Sequence, residues 1–317
     1  MKVLRSLCLV LVCTMCFAMA VGCGFAVKSD TKKIVATTKA GDDSTDKTTA
    51  EETSADATAE DTTADTSAND TLSIEPGVLL DQDGVKITAT GLVEDEYWGV
   101  GVKLLIENNT DKNIGVMCNS VIVNNFMITD VFSSSVTASN KANETLYLST
   151  DELAAAGINT IGQIEIYFNV YDSDSYDTIL DSDCITIKTS QFANMDTTSM
   201  DGGFILVDQD GIKIMGKYVD ENSFWGTSVL LYIENNTNKN VDISCEGFSI
   251  NGFMIDSYFG STLYAGKKAM PSISILQSDL DANGITSIDK IQLSFKVCDD
   301  TTFDTLFTSD PVFFAAK

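Results

Sequence analysis

Two acidic clusters have residue types suited to metal chemistry: Asp172, Asp174 and Asp177, and later Asp299, Asp300 and Asp304. Calcium takes about six to eight oxygen ligands, and loops rich in carboxylates are candidate calcium sites, although the spacing here is not that of an EF-hand. Two aromatic pairs, Tyr97-Trp98 and Phe224-Trp225, could stack on a carbohydrate or a peptide. The tryptophans share strand parity with core positions, which leaves Tyr97 and Phe224 as the exposed contacts. Phe126 and Phe253, beside asparagine-rich hairpins, are similar candidates for ligand contact.

Catalytic chemistry is narrower. The chain contains no histidine, which removes Ser-His-Asp and Cys-His catalysis, imidazole proton transfer and histidine-ligated zinc. No CxxC pair or P-loop occurs, and Gly99-Val100-Gly101 lacks the third glycine and following helix of a dinucleotide site. Carboxylate-based hydrolysis lacks a recognisable constellation. The expectation is a protein that is not an enzyme.

The elements that must position these residues read as strands. Val100, Val102, Leu104 and Ile106 alternate with Gly99, Gly101, Lys103 and Glu107, and Ile164, Ile166, Phe168 and Val170 repeat the period of two. Asp83-Gly84, Asn108 to Asn113, Asn124-Asn125 and Asn251-Gly252 suit hairpin connections that need positive φ. Asp151 to Ala156 before Gly157, and Ser278 to Asn283 before Gly284, read as short helices. About seven strands and one brief helix per unit predict an all-β fold of tandem antiparallel immunoglobulin-like sandwiches.

The units are two because the sequence repeats at an ungapped offset of 127 residues. Asp81-Gln82-Asp83-Gly84 returns as Asp208-Gln209-Asp210-Gly211, Glu107-Asn108-Asn109-Thr110 as Glu234-Asn235-Asn236-Thr237, and Phe126-Met127-Ile128 as Phe253-Met254-Ile255. Repeat 1 is expected over 74–190, a linker over 191–203 and repeat 2 over 204–317. Cys118 and Cys245 occupy matching inward positions as small hydrophobes, and Cys184 and Cys298 are out of phase with them, which argues against a bridge across either core.

Lys2 and Arg5, an apolar run from Leu7 to Val21 and Gly22 before Cys23 have the zones of a secretory signal over 1–22. Val21-Gly22-Cys23 resembles the lipobox of bacterial lipoproteins, which implies a diacylglycerol, and commonly a palmitate, on Cys23 and a stable membrane anchor. Residues 23–73 are expected as an acidic Thr/Ser/Ala-rich tether. From Gly41 to Asp70, ten residues are Asp or Glu and seventeen are Ser, Thr or Ala, too little apolar surface to offset ordering entropy.

The net charge is −26, and loss of Lys2 and Arg5 with the signal leaves −28. A chain this acidic has no basic surface for phosphates, so no nucleic-acid partner is expected. Anionic headgroups would also repel it, leaving lipid as its hold on a membrane.

From Gly77 to Lys317, the Trp-Gly strand start and the Asn-Asn-Thr turn resemble uncharacterised Gram-positive bacterial lipoproteins with tandem immunoglobulin-like repeats. The resemblance implies an extracytoplasmic, lipid-anchored location. The leading expectation is a non-catalytic module that binds a protein or glycan of the cell envelope. A structural or calcium-responsive surface module is the alternative, and a solute-binding lipoprotein fits poorly because long helices are missing.

Overall fold

The computed structural model describes residues 31–35, 71–129, 132–197, 202–223 and 226–316. The signal segment, Cys23, the 41–70 stretch and the Phe224-Trp225 pair lie outside the described residues. The described residues belong to one compact unit, Thr31–Lys317, and the fold is all-β with two antiparallel sandwiches in tandem.

A first strand, β1 (Thr31–Val35), precedes both repeats. Repeat 1 comprises β2 (Gly77–Gln82), β3 (Val85–Asp95), β4 (Gly99–Asn108), β5 (Ile114–Val123), β6 (Phe126–Ile128), β7 (Ser133–Val136), β8 (Lys141–Tyr147), helix α1 (Thr150–Ala155), β9 (Gln163–Asp172), β10 (Thr178–Asp181) and β11 (Ile185–Lys188). One layer runs β2-β3-β4-β8. In the other, β5 pairs with β6, β7 and β9, and β9 pairs with β10 and β11. The expected seven strands become more segments because outer edges are broken, β6/β7 on one side and β10/β11 on the other.

Repeat 2 follows the same plan with β12 (Phe204–Gln209), β13 (Ile212–Ser223), β14 (Gly226–Asn235), β15 (Val241–Ile250), β16 (Phe253–Met254), β17 (Gly260–Leu263), β18 (Lys268–Ala269), β19 (Ser272–Leu276), helix α2 (Gln277–Ala282), β20 (Ile291–Asp299), β21 (Thr305–Thr308) and β22 (Val312–Ala316). β14 runs beside β13, β18 and β19, while β15 runs beside β16, β17 and β20. Between the repeats, 191–203 holds one 3-10 turn, Phe192–Asn194.

Strand alternation explains both cores. Ile87, Ile106, Ile164, Ile166, Phe168 and Val170 are fully buried in repeat 1, as are Ile214, Leu231, Ile233, Phe295 and Val297 in repeat 2. At about 25 cal/mol per Å² of apolar area, such faces are the main source of stability. Three of the expected hairpins take the left-handed conformation their residues permit: Asp83 and Gly84 have φ of 51° and 79°, Asn124 and Asn125 have 46° and 77°, and Asn251 and Gly252 have 52° and 89°. The run Asn108 to Asn113 is instead a crossover from β4 to β5 in the other layer, with no positive φ. α1 begins at Ser149, whose Oγ accepts the Glu152 N–H, and ends as the Ile158 N–H donates to the Leu153 carbonyl at 2.8 Å.

β1 departs from the sequence reading, which assigned 23–73 to a spacer. Thr31–Lys33 pair antiparallel with β13 through Asp220–Tyr218, and Ile34 and Val35 pair with Ala316 and Ala315 of β22. The strand thus joins both layers of repeat 2. Repeat 1 fills the equivalent place with its own chain, through the Ile74–Thr189 bridge and the Ser190 N–H donating to the Ser73 carbonyl. The physical reason lies in composition: Thr-Lys-Lys-Ile-Val carries β-branched residues that suit a strand, unlike the acidic stretch that follows.

Candidate functional site

The Tyr97-Trp98 turn is built by Asp95. Its Oδ1 accepts the backbone N–H groups of Tyr97 and Trp98, each at 2.8 Å, and these amides, Trp98 first, hold the carboxyl below its ordinary range. Gly99 then takes φ 76°, so strand alternation resumes only after the tryptophan. Trp98 is 57% exposed rather than in the core, a correction to its expected place. Tyr97 is 81% exposed, as expected. Their rings meet edge to face with centroids 5.0 Å apart, and Trp98 lies 6.1 Å from Tyr147 on β8. Three aromatic side chains therefore form a partly open platform, a geometry that can stack on a sugar ring or an apolar side chain.

The hairpin phenylalanines divide. Phe253 is 49% exposed, whereas Phe126 is 3% exposed, so Phe126 is not an open contact. It is covered by repeat 2, with its ring 6.2 Å from that of Tyr232 and the Lys268 Nζ 5.5 Å from its centroid. β6 pairs in parallel with β18, Lys268 opposite Phe126 and Ala269 opposite Met127. The Lys268 N–H donates to the Asn125 carbonyl at 3.0 Å, the Tyr264 N–H points at the Met127 Sδ, and Lys267 pairs with Glu165 at 2.5 Å. A cleft of about 210 Å³ at this junction is lined by Asn124, Asn125, Gln163, Met195, Thr197 and Lys268.

The acidic loops are internally occupied. Asp172 Oδ1 accepts the amides of Asp174 and Ser175 at 2.9 and 3.3 Å, and Oδ2 pairs with Lys112 at 2.8 Å. Asp299 repeats the arrangement with Thr301, Thr302 and Lys239. Asp174, Asp177 and Asp304 are exposed, and Asp300 is half-buried with its N–H donating to the Asn240 carbonyl. Among the described residues, no three acidic, cysteine or histidine side chains converge as a metal site. Each triplet thus has one structural aspartate, and its neighbours do not converge on it. Sequence spacing could not reveal this, because the lysine partner of each aspartate lies about 60 residues upstream.

Lys239, with the Thr302 and Thr301 amides, lowers the Asp299 carboxyl from 3.8 to about 2, and Lys112 lowers Asp172 in the same way. A carboxyl depressed on folding contributes stability above its unfolded value and loses it as pH falls through the folded one. Thermal melts across this acid range should show the midpoint dropping between about pH 4 and pH 2. In Asp299→Asn that drop should be shallower, and an unchanged slope would detach it from this carboxylate.

Cys118, Cys184, Cys245 and Cys298 are in the thiol form. Burial pushes the Cys245 thiol up to about 12, which makes it an unreactive packing residue. Among the described residues, no helix is long and apolar enough to cross a membrane.

No family model and no curated protein matches this chain. Among solved structures, a Salmonella enterica SafA pilin in complex with the SafB chaperone aligns at 12% identity over 74% of this chain and 98% of that one, with a TM-score of 0.24. A protein of unknown function from Porphyromonas gingivalis W83 aligns at 11% identity over 76% and 96%, with a TM-score of 0.18. At these TM-scores neither likeness carries an argument about activity or partners.

Proposed function

We propose that this chain is a lipid-anchored extracytoplasmic protein without catalytic activity, whose sandwiches bind a glycan or protein of the bacterial cell envelope. The observation that carries the reading is the Tyr97-Trp98 platform. Two large aromatic side chains, 81% and 57% exposed, are held in place by Asp95 at a loop tip, where a rigid scaffold commonly displays its contacts. Beyond their contacts with each other and with Tyr147 the rings stay open to water, and aromatic side chains are enriched among residues that dominate binding energy. The chemistry of the chain agrees: it has no histidine, and the two most deeply held acidic groups are spent on lysines and backbone amides.

The anchor belongs to the same reading. Cys23 follows a secretory-type run, and β1 begins eight positions after it. An acylated Cys23 would therefore stand eight positions before a strand of repeat 2. Metabolic labelling with a fatty acid should mark the natural chain and spare Cys23→Ala; equal labelling of both would remove the anchor.

Cross-linking in intact cells tests the binding reading. The natural chain should capture a defined envelope component, and Tyr97→Ala/Trp98→Ala should weaken capture by about tenfold or more, the scale of losing a binding hot spot. Equal capture by both chains would show that the platform is not the contact.

A further inference from the structure

Within the chain, repeat 1 seats a hairpin tip on repeat 2, and repeat 2 carries the same tip uncovered. Asn125, Phe126 and Met127 lie along β18. Their counterparts at the offset of 127 are Gly252, Phe253 and Met254. Phe253 is 49% and Met254 68% exposed. The counterpart of β18 is the start of β8, which among the described residues pairs with β4 alone and forms the edge of its sheet. One chain thus presents an open tip and an open receiving edge of the kinds that already fit each other inside it. Contacts between two different surfaces of one molecule are heterologous, and they extend from copy to copy unless the rotation closes a ring.

We infer that the Phe253 hairpin of one molecule docks on the β8 edge and the outer face of the β2-β3-β4-β8 sheet of a second copy, giving head-to-tail association. The Lys268 N–H accommodates the tip in the internal junction by donating to Asn125, and Lys141 holds the matching place on β8. An unpaired edge accepts an added strand by this type of bond.

The side chains point to a second copy rather than an unrelated partner. In the internal junction Glu165 meets Lys267, Tyr167 meets Tyr264, and Phe126 meets Tyr232. Moving the tip side forward and the receiving side back by 127 positions gives Gln292 with Asn140, Ser294 with Thr137, and Phe253 with Leu105. An ion pair becomes an amide pair, two phenols become two hydroxyls, and an aromatic pair becomes an aromatic-aliphatic pair. In the first two pairs both members change together, so no charge is left facing a mismatched group, which one-sided substitution would have produced; in the third the phenylalanine is kept and its partner stays apolar. The intermolecular contact is weaker than the internal one, whose halves share a chain and hence a high effective concentration.

This inference goes beyond envelope binding and does not depend on the anchor. Its test uses the full chain with Cys23→Ser, so that no lipid drives association, in sedimentation velocity over a range of concentrations. The weight-average mass should rise with concentration past that of a dimer. Met254→Asp, which spoils the tip, and Leu105→Lys, which spoils the receiving face, should each remain monomeric. Their equimolar mixture should form a dimer and nothing larger, because one intact tip and one intact face remain between them. Thr88→Lys, on the same outer face, replaces Leu105→Lys if the latter does not fold. A parent chain that is monomeric throughout, a single variant that associates like the parent, or a mixture that stays monomeric would overturn the proposal.

Discussion

Asn235→Ala is expected to destabilise repeat 2 by about 3 kcal/mol, the sum of one buried and several part-buried groups left without partners. The Asn235 side chain is fully buried at the end of β14. Its Nδ2 donates to the carbonyls of Lys239, Leu263 and Tyr264 at 2.8, 3.0 and 3.1 Å, and its Oδ1 accepts the N–H and Oγ1–H of Thr237 at 3.0 and 2.7 Å. Leu263 ends β17 in the opposite layer, so this one amide ties the two sheets together. Asn108 makes the same bonds to Lys112, Val136, Thr137 and Thr110 in repeat 1. Alanine removes donor and acceptor together and leaves the buried Leu263 carbonyl without this partner where water cannot replace it, along with the part-buried Lys239 and Tyr264 carbonyls. Urea unfolding of Asn235→Ala against Asn236→Ala provides the measurement. Asn236 is exposed, and its replacement should stay within about 0.5 kcal/mol of the natural chain; equal losses at the two positions would reject the clamp.

Phe126→Ala is expected to cost about 3–5 kcal/mol, the usual range for emptying a phenylalanine site, while Phe253→Ala should change stability by no more than about 0.5 kcal/mol. The two residues occupy the same position of their repeats, and only the presence of a neighbouring domain distinguishes them. Removing the Phe126 ring vacates the space beside Tyr232 and loosens the parallel β6–β18 pairing. Each repeat has its own buried cluster, so loss of the junction should uncouple them. Calorimetry of Phe126→Ala should therefore resolve two transitions where the natural chain shows closer coupling, and the Glu165–Lys267 pair should lose its shelter at the same time. A single transition with an unchanged midpoint would place the coupling elsewhere.

Particular residues show how far the primary structure could be followed. The alternation of Ile164, Ile166, Phe168 and Val170 identified a half-buried strand because a pleated chain turns successive side chains to opposite faces. The same rule failed at Trp98, where the Asp95 turn breaks the strand before its first residue and the aromatic ring emerges into solvent. Periodicity holds inside an element and says nothing at its boundary. Glu-Asn-Asn-Thr was readable as a turn, but its role as a clamp between layers was not, since three of its bonding partners are carbonyls, two of them about 28 residues away.

By itself the sequence determined the all-β class, the two repeats with their offset, the hairpin turns and the lack of imidazole chemistry, because each depends on residue type and spacing along one chain. Tertiary structure alone decided that β1 joins repeat 2, that Asp172 and Asp299 serve lysines and loop amides instead of converging as a metal cage, and that Phe126 is covered while Phe253 is open. Those outcomes depend on which distant surfaces meet. Burial and partnership arise between segments, and two nearly identical hairpins acquire different environments when a second domain packs against only one of them.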